Sequence, residues 1–433
     1  MMQTGVTYGS WQTEITQRRN ETGSDSLFSG NYHWSVPIVG LPGRAGHDFG
    51  LALSYDSRVW VKTSGGMILN GNDYLLGNPG TGFNVGLPVM DPALHYARSG
   101  ATAYTLMMPS GKALELIRRG GNTAFQIYES QDGSLLRMSV SADRRLYFPN
   151  GTRMIFNGNG QCLEIQDRNG NLIIAAYDAP GGNLSKVTDT LGREINFVYN
   201  AYFQISDITQ SRRDENNLEV TVTLAQFGYV DVPVKTNFSG TYTSIPQNSL
   251  LPVLKTVQLA SGSVYSFEYN SYAQVRLIHH LAPLTTNSNP NNLSTDYRLL
   301  SATSYNLPSV TTPGVNTPQT DCPRFTKRLD DAADWASGVT TNYLRSGNYG
   351  EVTAPNGTKT REYYQLATSN PESWLDGLVF KTELSDAGTN IKRTTLTTWE
   401  SGGATTWGPR VVNATVTDNE NNSSRYSEYE YGS

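Results

Sequence analysis

The sequence predicts an all-β protein: a strip of consecutive antiparallel β-hairpins, curved or spiralling, with few short helices. Three observations lead there. First, the chain is poor in charge and rich in turn formers and tyrosine. Of 433 residues, 16% are charged, 41 are Gly, 20 are Pro and 25 are Tyr, where ~25% charged residues is usual. Gly and Pro supply turns, and tyrosine suits a half-buried pleated surface. Second, Phe49, Leu51, Leu53 and Tyr55 alternate with Gly50, Ala52, Ser54 and Asp56, the period of two expected of a strand with one apolar face. Third, the chain repeats itself in units of hairpin size.

In chain order, residues 1–30 are polar, lack periodicity and read as an N-terminal arm. Residues 31–156 form an N-terminal β region. In it, the run at 32–38 reads as a strand closed by a turn at 40–44, and residues 62–100 read as long loops with short strands. Strand-like runs at 104–107, 125–128, 146–148 and 154–156 then alternate with turns at Ser110-Gly111, Asp132-Gly133 and Asn150-Gly151, dipeptides suited to tight hairpins. Residues 157–433 carry the hairpin strip, with an extended insertion around 283–324 that is rich in Pro, Asn, Ser and Thr. Two segments read as helical. One is 326–337, with Leu329, Ala332, Ala333, Trp335 and Ala336. The other is 371–384, with Asn370 as a cap and Pro371 in the first position.

The repeat lies in the strip. A shift of 22 residues places Ile165, Asp167, Gly170 and Tyr177 over Val187, Asp189, Gly192 and Tyr199. Val257, Gly262 and Tyr269, and again Val352, Gly357 and Tyr364, fit the same template. A β-branched residue stands five before each Gly and a Tyr seven after it; Cys162, Leu184, Leu254 and Tyr349 stand eight before. Physically this is a hairpin. The incoming strand buries its apolar positions, and Gly takes a positive φ in the turn. The outgoing strand alternates and ends on a Tyr whose ring lies on the sheet and whose hydroxyl reaches water or a backbone group. The last two copies lack the Asp, and in the fourth Thr360 and Glu362 replace the apolar alternation. One hairpin alone is marginal in water, so the units must pair side by side.

On these residues the sequence resembles a known family. Ile165-Gln166-Asp167-Arg168-Asn169-Gly170-Asn171-Leu172-Ile173 through Tyr177-Asp178, followed by Leu184-Ser185-Lys186-Val187-Thr188-Asp189-Thr190-Leu191-Gly192-Arg193 through Tyr199-Asn200, resembles two consecutive YD repeats. Val36-Pro37-Ile38 and Leu41-Pro42-Gly43-Arg44-Ala45-Gly46, followed by Leu51-Ala52-Leu53-Ser54-Tyr55-Asp56-Ser57-Arg58, resembles the segment that opens many bacterial members. The chain is thus similar to the N-terminal portion, or to a short member, of the YD-repeat or rearrangement-hotspot (RHS) proteins. These include bacterial polymorphic toxins, the C components of insecticidal toxin complexes and the animal teneurins. The resemblance implies a long β-sheet strip coiled into a hollow shell or spiral. No terminal core motif, self-cleaving protease pair or distinct toxin tail after residue 400 aligns with it.

Composition and motifs exclude several functions. A formal net charge of −5 with no Lys/Arg run argues against a nucleic-acid partner. No run approaches the ~18 apolar residues of a membrane span. Cys162 and Cys322 read as two unpaired thiols, and the first residues lack the pattern of a secretory signal. His33, His47, His95, His279 and His280 show no metal-ligand spacing. His47-Asp48 lacks a nucleophile elbow to complete a triad. The stretch 167–171 reads as a turn rather than a calcium loop, and the Gly-rich 80–86 as a loop without phosphate-binding context.

No catalytic, cofactor-binding or metal residue is assigned. The expectation is a non-catalytic structural protein, extracellular or at the cell surface, acting by encapsulation, adhesion or self-assembly into a shell or fibre. With few repeats the strip should leave edge strands and an aromatic inner face exposed. Its partner is then itself, head to tail, or the continuation of a longer RHS chain. A second reading is a carbohydrate-binding or adhesin domain of sandwich or propeller type, with Trp60, Trp399, Trp407, Tyr426, Tyr429 and Tyr431 as exposed aromatics that stack on glycans. A third is a glycoside hydrolase using a carboxylate pair such as two of Asp330, Asp331 and Asp334.

Overall fold

A computed structural model describes residue 27 and residues 30–63, 66–69, 79–91, 94–96, 102–109, 113–122, 124–130, 134–179, 182–239, 243–310, 318–366, 377–401 and 409–430. Its body is one antiparallel sheet in which every strand from Thr102–Met107 to Ser423–Glu428 pairs with its neighbour in sequence. The short strands Val89–Met90 and His95–Tyr96 both pair with Thr102–Met107 at the start of the strip. At the other end, Ser423–Glu428 pairs with Pro409–Asp418; among the described residues no register joins it to Val89–Met90. Among the described residues, then, no strand register closes the two ends into a ring. This is the strip of consecutive hairpins that the alternation and turn spacing predict.

A second, smaller unit comes from the N-terminal region. His33–Leu41, Phe49–Asp56 and Phe83–Val85 form a three-stranded sheet, and Trp60–Thr63 pairs with Gly66–Leu69. This unit packs on the apolar face of the strip. Trp34 meets the rings of Tyr265 and Phe267, each at 5.3 Å, and Phe83 meets Phe267 at 4.7 Å. Tyr32 stacks on Tyr305 at 3.6 Å. Trp60 Nε1 donates to the Tyr272 carbonyl at 2.8 Å, and the Tyr55 hydroxyl accepts the Val275 amide at 2.9 Å. The buried Gln274 donates from Nε2 to the carbonyls of Ser57 and Pro323, both at 2.9 Å.

These contacts fix the curvature. Seventeen strands run from Ala113–Gly121 to Val339–Ser346. Laid flat at ~4.8 Å per strand they would span roughly 80 Å. Yet one apolar cluster joins residues of the small unit to Leu114 near one end of that span and to Tyr343 near the other. The strip must curl around the N-terminal unit. The expectation of an exposed aromatic inner face is corrected accordingly. The face is covered because the described residues between 31 and 91, placed by sequence in the separate region 31–156, fold back into the trough. Trp60, expected among the exposed aromatics, is 1% exposed.

Beyond Lys359 the strip changes character. Among the described residues from there on, only Tyr364, Glu383 and Ala414 are buried. Both faces of these last strands meet solvent.

Further expectations need correction. The segment expected to be helical at 326–337 contains the strand Lys327–Ala332, whose Asp330 accepts from Thr303 Oγ1 and pairs with Arg328. Cross-strand partners at those positions outweigh the helical spacing of Leu329, Ala332 and Ala333. Likewise the strand Val379–Ser385 takes up the end of the span 371–384; residues 371–376 lie outside the described ones. The segment 283–324 is not simply an extended insertion. It holds the short helix Leu293–Asp296 and the whole strand Tyr297–Tyr305, and it buries Cys322. Within 80–86, Phe83–Val85 is a strand rather than loop. The turns expected at Ser110-Gly111 and Asp132-Gly133, and the expected arm apart from Leu27 and Gly30, lie outside the described residues.

Candidate functional site

The feature that recurs along the strip is the hairpin itself, with a turn at one end and a clamp at the other. Gly170, Gly192, Gly262 and Gly357 each sit in a turn with φ of 87°, 78°, 81° and 84°. In each turn the Gly amide donates to the carbonyl three residues earlier: Asp167, Asp189, Leu259 and Ala354. The amides of those same four residues donate to the carbonyls of Asn171, Arg193, Ser263 and Thr358. This is a tight turn closed by one left-handed residue, which glycine adopts without a Cβ penalty.

Side chains finish the turns in two ways. Asp167 Oδ1 accepts the amides of Asn169 and Asn171, both at 2.8 Å. Asp189 Oδ1 does the same for Leu191 at 2.9 Å and Arg193 at 2.8 Å. Burial works to raise the Asp167 carboxyl, but the Asn171 and Asn169 hydrogen bonds prevail and hold it below the usual carboxylate range. Where the Asp is missing, the residue just before the Gly takes over: Ser261 Oγ accepts from the Ser263 amide at 3.3 Å, and Asn356 Oδ1 from the Thr358 amide at 3.1 Å.

The β-branched positions lie in the strand leading into each turn. Ile165, Val187 and Val257 are fully buried and face Ile173, Ile195 and Tyr265 across the ladder. Val352 is half-buried and faces Thr360. The Tyr positions sit at the open end of the hairpin, each at a register shift. Tyr177 donates its hydroxyl to the Cys162 carbonyl at 3.0 Å, Tyr199 to Leu184 at 2.9 Å, and Tyr269 to Leu254. In all three the acceptor is the residue eight before the Gly, so the hydroxyl ties the end of the second strand to the start of the first. Tyr364 departs from this and donates to the Glu362 carboxylate at 2.6 Å. Burial pushes the hydroxyls of Tyr177, Tyr199 and Tyr269 well up from their ordinary range.

Sequence reasoning missed further units of the same design. Tyr229 clamps the Ile205 carbonyl at 2.8 Å across a longer hairpin, whose turn has Asn217 at φ 61° and Asp214 as the cap. On the opposite edge of the strip, turns begin at the residue after the Tyr. Asn200 and Asn270 cap their turns through Oδ1, with Phe203 at φ 60° and Ala273 at φ 59° in the left-handed place. A search restricted to Gly cannot find these turns. The signal present in sequence is an Asx residue followed four positions later by Gln or Asn, whose side chains interlock: Asn200 Nδ2 with Gln204 Oε1 and Asn270 Nδ2 with Gln274 Oε1, both at 3.1 Å.

The residues considered for chemistry have structural placements. His47 is buried with Nε2 3.4 Å from the Ile165 carbonyl oxygen, and Asp48 Oδ1 accepts the Gly43 amide at 2.8 Å. His280 stacks on Tyr265 at 4.3 Å, while its neighbour His279 faces Ser266 in the ladder. Burial pushes both imidazoles down. Cys162 and Cys322 are buried thiols; burial raises both, Cys322 to about 12. Trp399 is half-buried and donates Nε1 to the Val379 carbonyl at 2.8 Å, Tyr426 is exposed, and Trp407 and Tyr431 lie outside the described residues. Among the described residues no group of three or more His, Cys, Asp or Glu is placed to hold a metal ion, and no helix is long and apolar enough to cross a membrane.

No family model matches the chain, and no curated protein matches it in sequence. Among solved structures it is similar to TcdB2-TccC3-TEV, with a TM-score of 0.34 and 8% identity over 94% of this chain and 24% of the other. It is also similar to a Photorhabdus luminescens Tc holotoxin pore, with a TM-score of 0.33 and 8% identity over 90% of this chain and 22% of the other. The chain therefore spans about a quarter of the chains it matches, and at these scores the likeness does not define its family.

Proposed function

We propose that this chain is a non-catalytic β scaffold, extracellular or at the cell surface, that works by enclosing, adhering or assembling. The observation that supports this best is the order of pairing. Every strand from Thr102–Met107 onward pairs with its sequence neighbour, so the molecule is a ribbon of hairpins and not a sandwich or a ring of blades. The apolar face of that ribbon is spent on wrapping the N-terminal unit. Asp167 and Asp189 cap turns, Glu268 joins a surface ion pair with Arg276, and the buried Glu351 and Glu383 are paired with Arg361 and Lys381. The setting outside the cell is the one the YD-repeat resemblance implies.

The partner surface on this reading is the last strand. Ser423–Glu428 pairs on one side with Pro409–Asp418 and carries the exposed Tyr426. A strand edge of this kind templates the addition of another strand. The strand added comes from a second copy, head to tail, or from a continuation of the same ribbon. Light scattering and electron microscopy across a concentration series test the self-assembly. Concentration-dependent growth that Tyr426→Lys suppresses is expected. A compact monomer at every concentration, unaffected by Tyr426→Lys, overturns it.

A further inference from the structure

A cavity of 540 Å³ opens where the apolar interior gives way to the solvated strands. Three stretches of chain, distant in sequence, bring cations to it. Arg58 and Lys62 come from the N-terminal unit, Arg324 from the segment before Lys327–Ala332, and Arg345 from Val339–Ser346. Among the described residues the one carboxylate in the lining is Asp321, which pairs with Arg324 at 3.0 Å. Arg345 is held in place, its Nε donating to the Leu27 carbonyl at 2.7 Å and its guanidinium lying over the Phe325 ring at 5.9 Å. Arg58 and Lys62 are exposed and join no ion pair among the described residues. Among the described residues, four cations thus face one carboxylate in a chain whose net charge is −5. Val61, Leu366 and the rings of Trp60 and Tyr349 supply apolar and aromatic wall beside the polar Asn31.

From this geometry we infer a binding site for a small organic anion, one that presents a phosphate or carboxylate group on a flat or apolar body. Mutual repulsion among converging cations is relieved by a counter-charge between them, and a partly enclosed site focuses that attraction. Guanidinium forks match the paired oxygens of phosphate and carboxylate, and Lys62 adds a point charge. The aromatic wall receives the body that carries the anion. The volume falls within the ~300–1,000 Å³ of small-molecule sites, which excludes a folded partner as the occupant. The site stands apart from the scaffold reading and does not depend on it.

Calorimetric titration of the full chain with AMP, citrate and inorganic pyrophosphate tests the assignment. AMP binding tighter than pyrophosphate identifies phosphate on a ring, and citrate binding identifies carboxylate; either result supports the site. Arg58→Gln and Lys62→Gln should each weaken binding about tenfold, the loss of one charge-assisted hydrogen bond. Arg425→Gln, on the solvated last strand, should leave it unchanged. Binding should also weaken as salt rises. Should Arg58→Gln fail to fold by circular dichroism, Lys62→Gln and the salt series on the unaltered chain decide. No heat with any of the three probes, or equal weakening by Arg425→Gln and Lys62→Gln, overturns the inference.

Discussion

Removal of a single oxygen from Tyr199 isolates the clamp that recurs along the strip. In Tyr199→Phe the ring stays on the sheet and the Leu184 carbonyl loses a donor at 2.9 Å. A hydrogen bond of this kind contributes about 0.5–1.5 kcal/mol net, and a buried acceptor left without a partner costs about 1–3 kcal/mol. Tyr199 is half-buried and Leu184 is 2% exposed, so water reaches the orphaned carbonyl only in part. The expected cost is about 1–2 kcal/mol. A chain of this length need not unfold in one step, so the loss is best read locally. Native-state hydrogen exchange of the amides in Leu184–Thr188 and Glu194–Tyr199 should quicken by roughly 5–30-fold. Tyr229→Phe should do the same for its own hairpin, although its acceptor lies 24 residues away rather than 15. Tyr147→Phe, on a ring that is 40% exposed, is the control and should stay within about 0.5 kcal/mol of the parent. If Tyr199→Phe behaves as Tyr147→Phe does, the hydroxyl clamp contributes nothing and the recurrent geometry of the Tyr positions is a by-product of packing.

Four further outcomes follow from the same coordinates. An added Cβ at Gly192 meets no atom within 4 Å, so Gly192→Ala should cost only the left-handed strain of about 1–2 kcal/mol; Gly82→Ala, with the same strain plus Tyr55 at 2.6 Å, should cost measurably more in urea denaturation. Asp189 is 4% exposed and accepts two amides besides pairing with Arg193, so Asp189→Ala should destabilise by about 2–3 kcal/mol, and Asp189→Asn by less. Burial lowers the His279 and His280 imidazoles, so their contribution to stability is complete above the ordinary value of ~6.5 and is lost as pH falls below it. Burial raises the Tyr177 and Tyr199 hydroxyls, so theirs is complete below ~10 and is lost as pH rises beyond it; urea midpoints should decline in both directions, and a midpoint that climbs on either side contradicts the burial. Trp60→Ala should cost about 3–5 kcal/mol and should speed exchange around Tyr272, 212 residues away, because the indole donates to that carbonyl.

The strip was legible because its rules are local. Alternation of two and the turn glycines are written within a few residues of one another, and Gly170 and Gly192 alone give the turn geometry. Left-handed residues that are not glycine were harder. Phe203 and Ala273 carry no mark of their own, and only the Asx three residues before them, with its side-chain partner one residue after, marks the bend. The two helical expectations failed for a related reason. Leu329, Ala332 and Ala333 keep a helical spacing, but Asp330 finds Thr303 on the neighbouring strand and Arg328 beside it, partners that local periodicity cannot count. The cationic cavity was invisible because its residues converge from positions near 60, 324 and 345.

What the local rules could not convey is the interior. Ribbon and filling are matched in extent. No local pattern in either strand announces that Trp34 will meet Tyr265 or that Gln274 will hold Ser57 and Pro323 together. Yet the chemistry of the ribbon records where the filling ends. The position in line with the buried Val187 and Val257 is still apolar at Val352, which lies across from Thr360. From there the same face continues through Glu362 and Thr382 to Thr395. Among the described residues, the N-terminal chain reaches this boundary at Leu27, packed closely enough against Gly350 that an added Cβ would lie 2.8 Å from its carbonyl oxygen. A face with nothing to cover it gains no stability from valine and loses solubility, so the alternation turns polar where the filling stops. The loss of apolar character in the fourth repeat is therefore the mark of an uncovered face, and the repeat keeps its turn glycine at φ 84° because the hairpin still has to close.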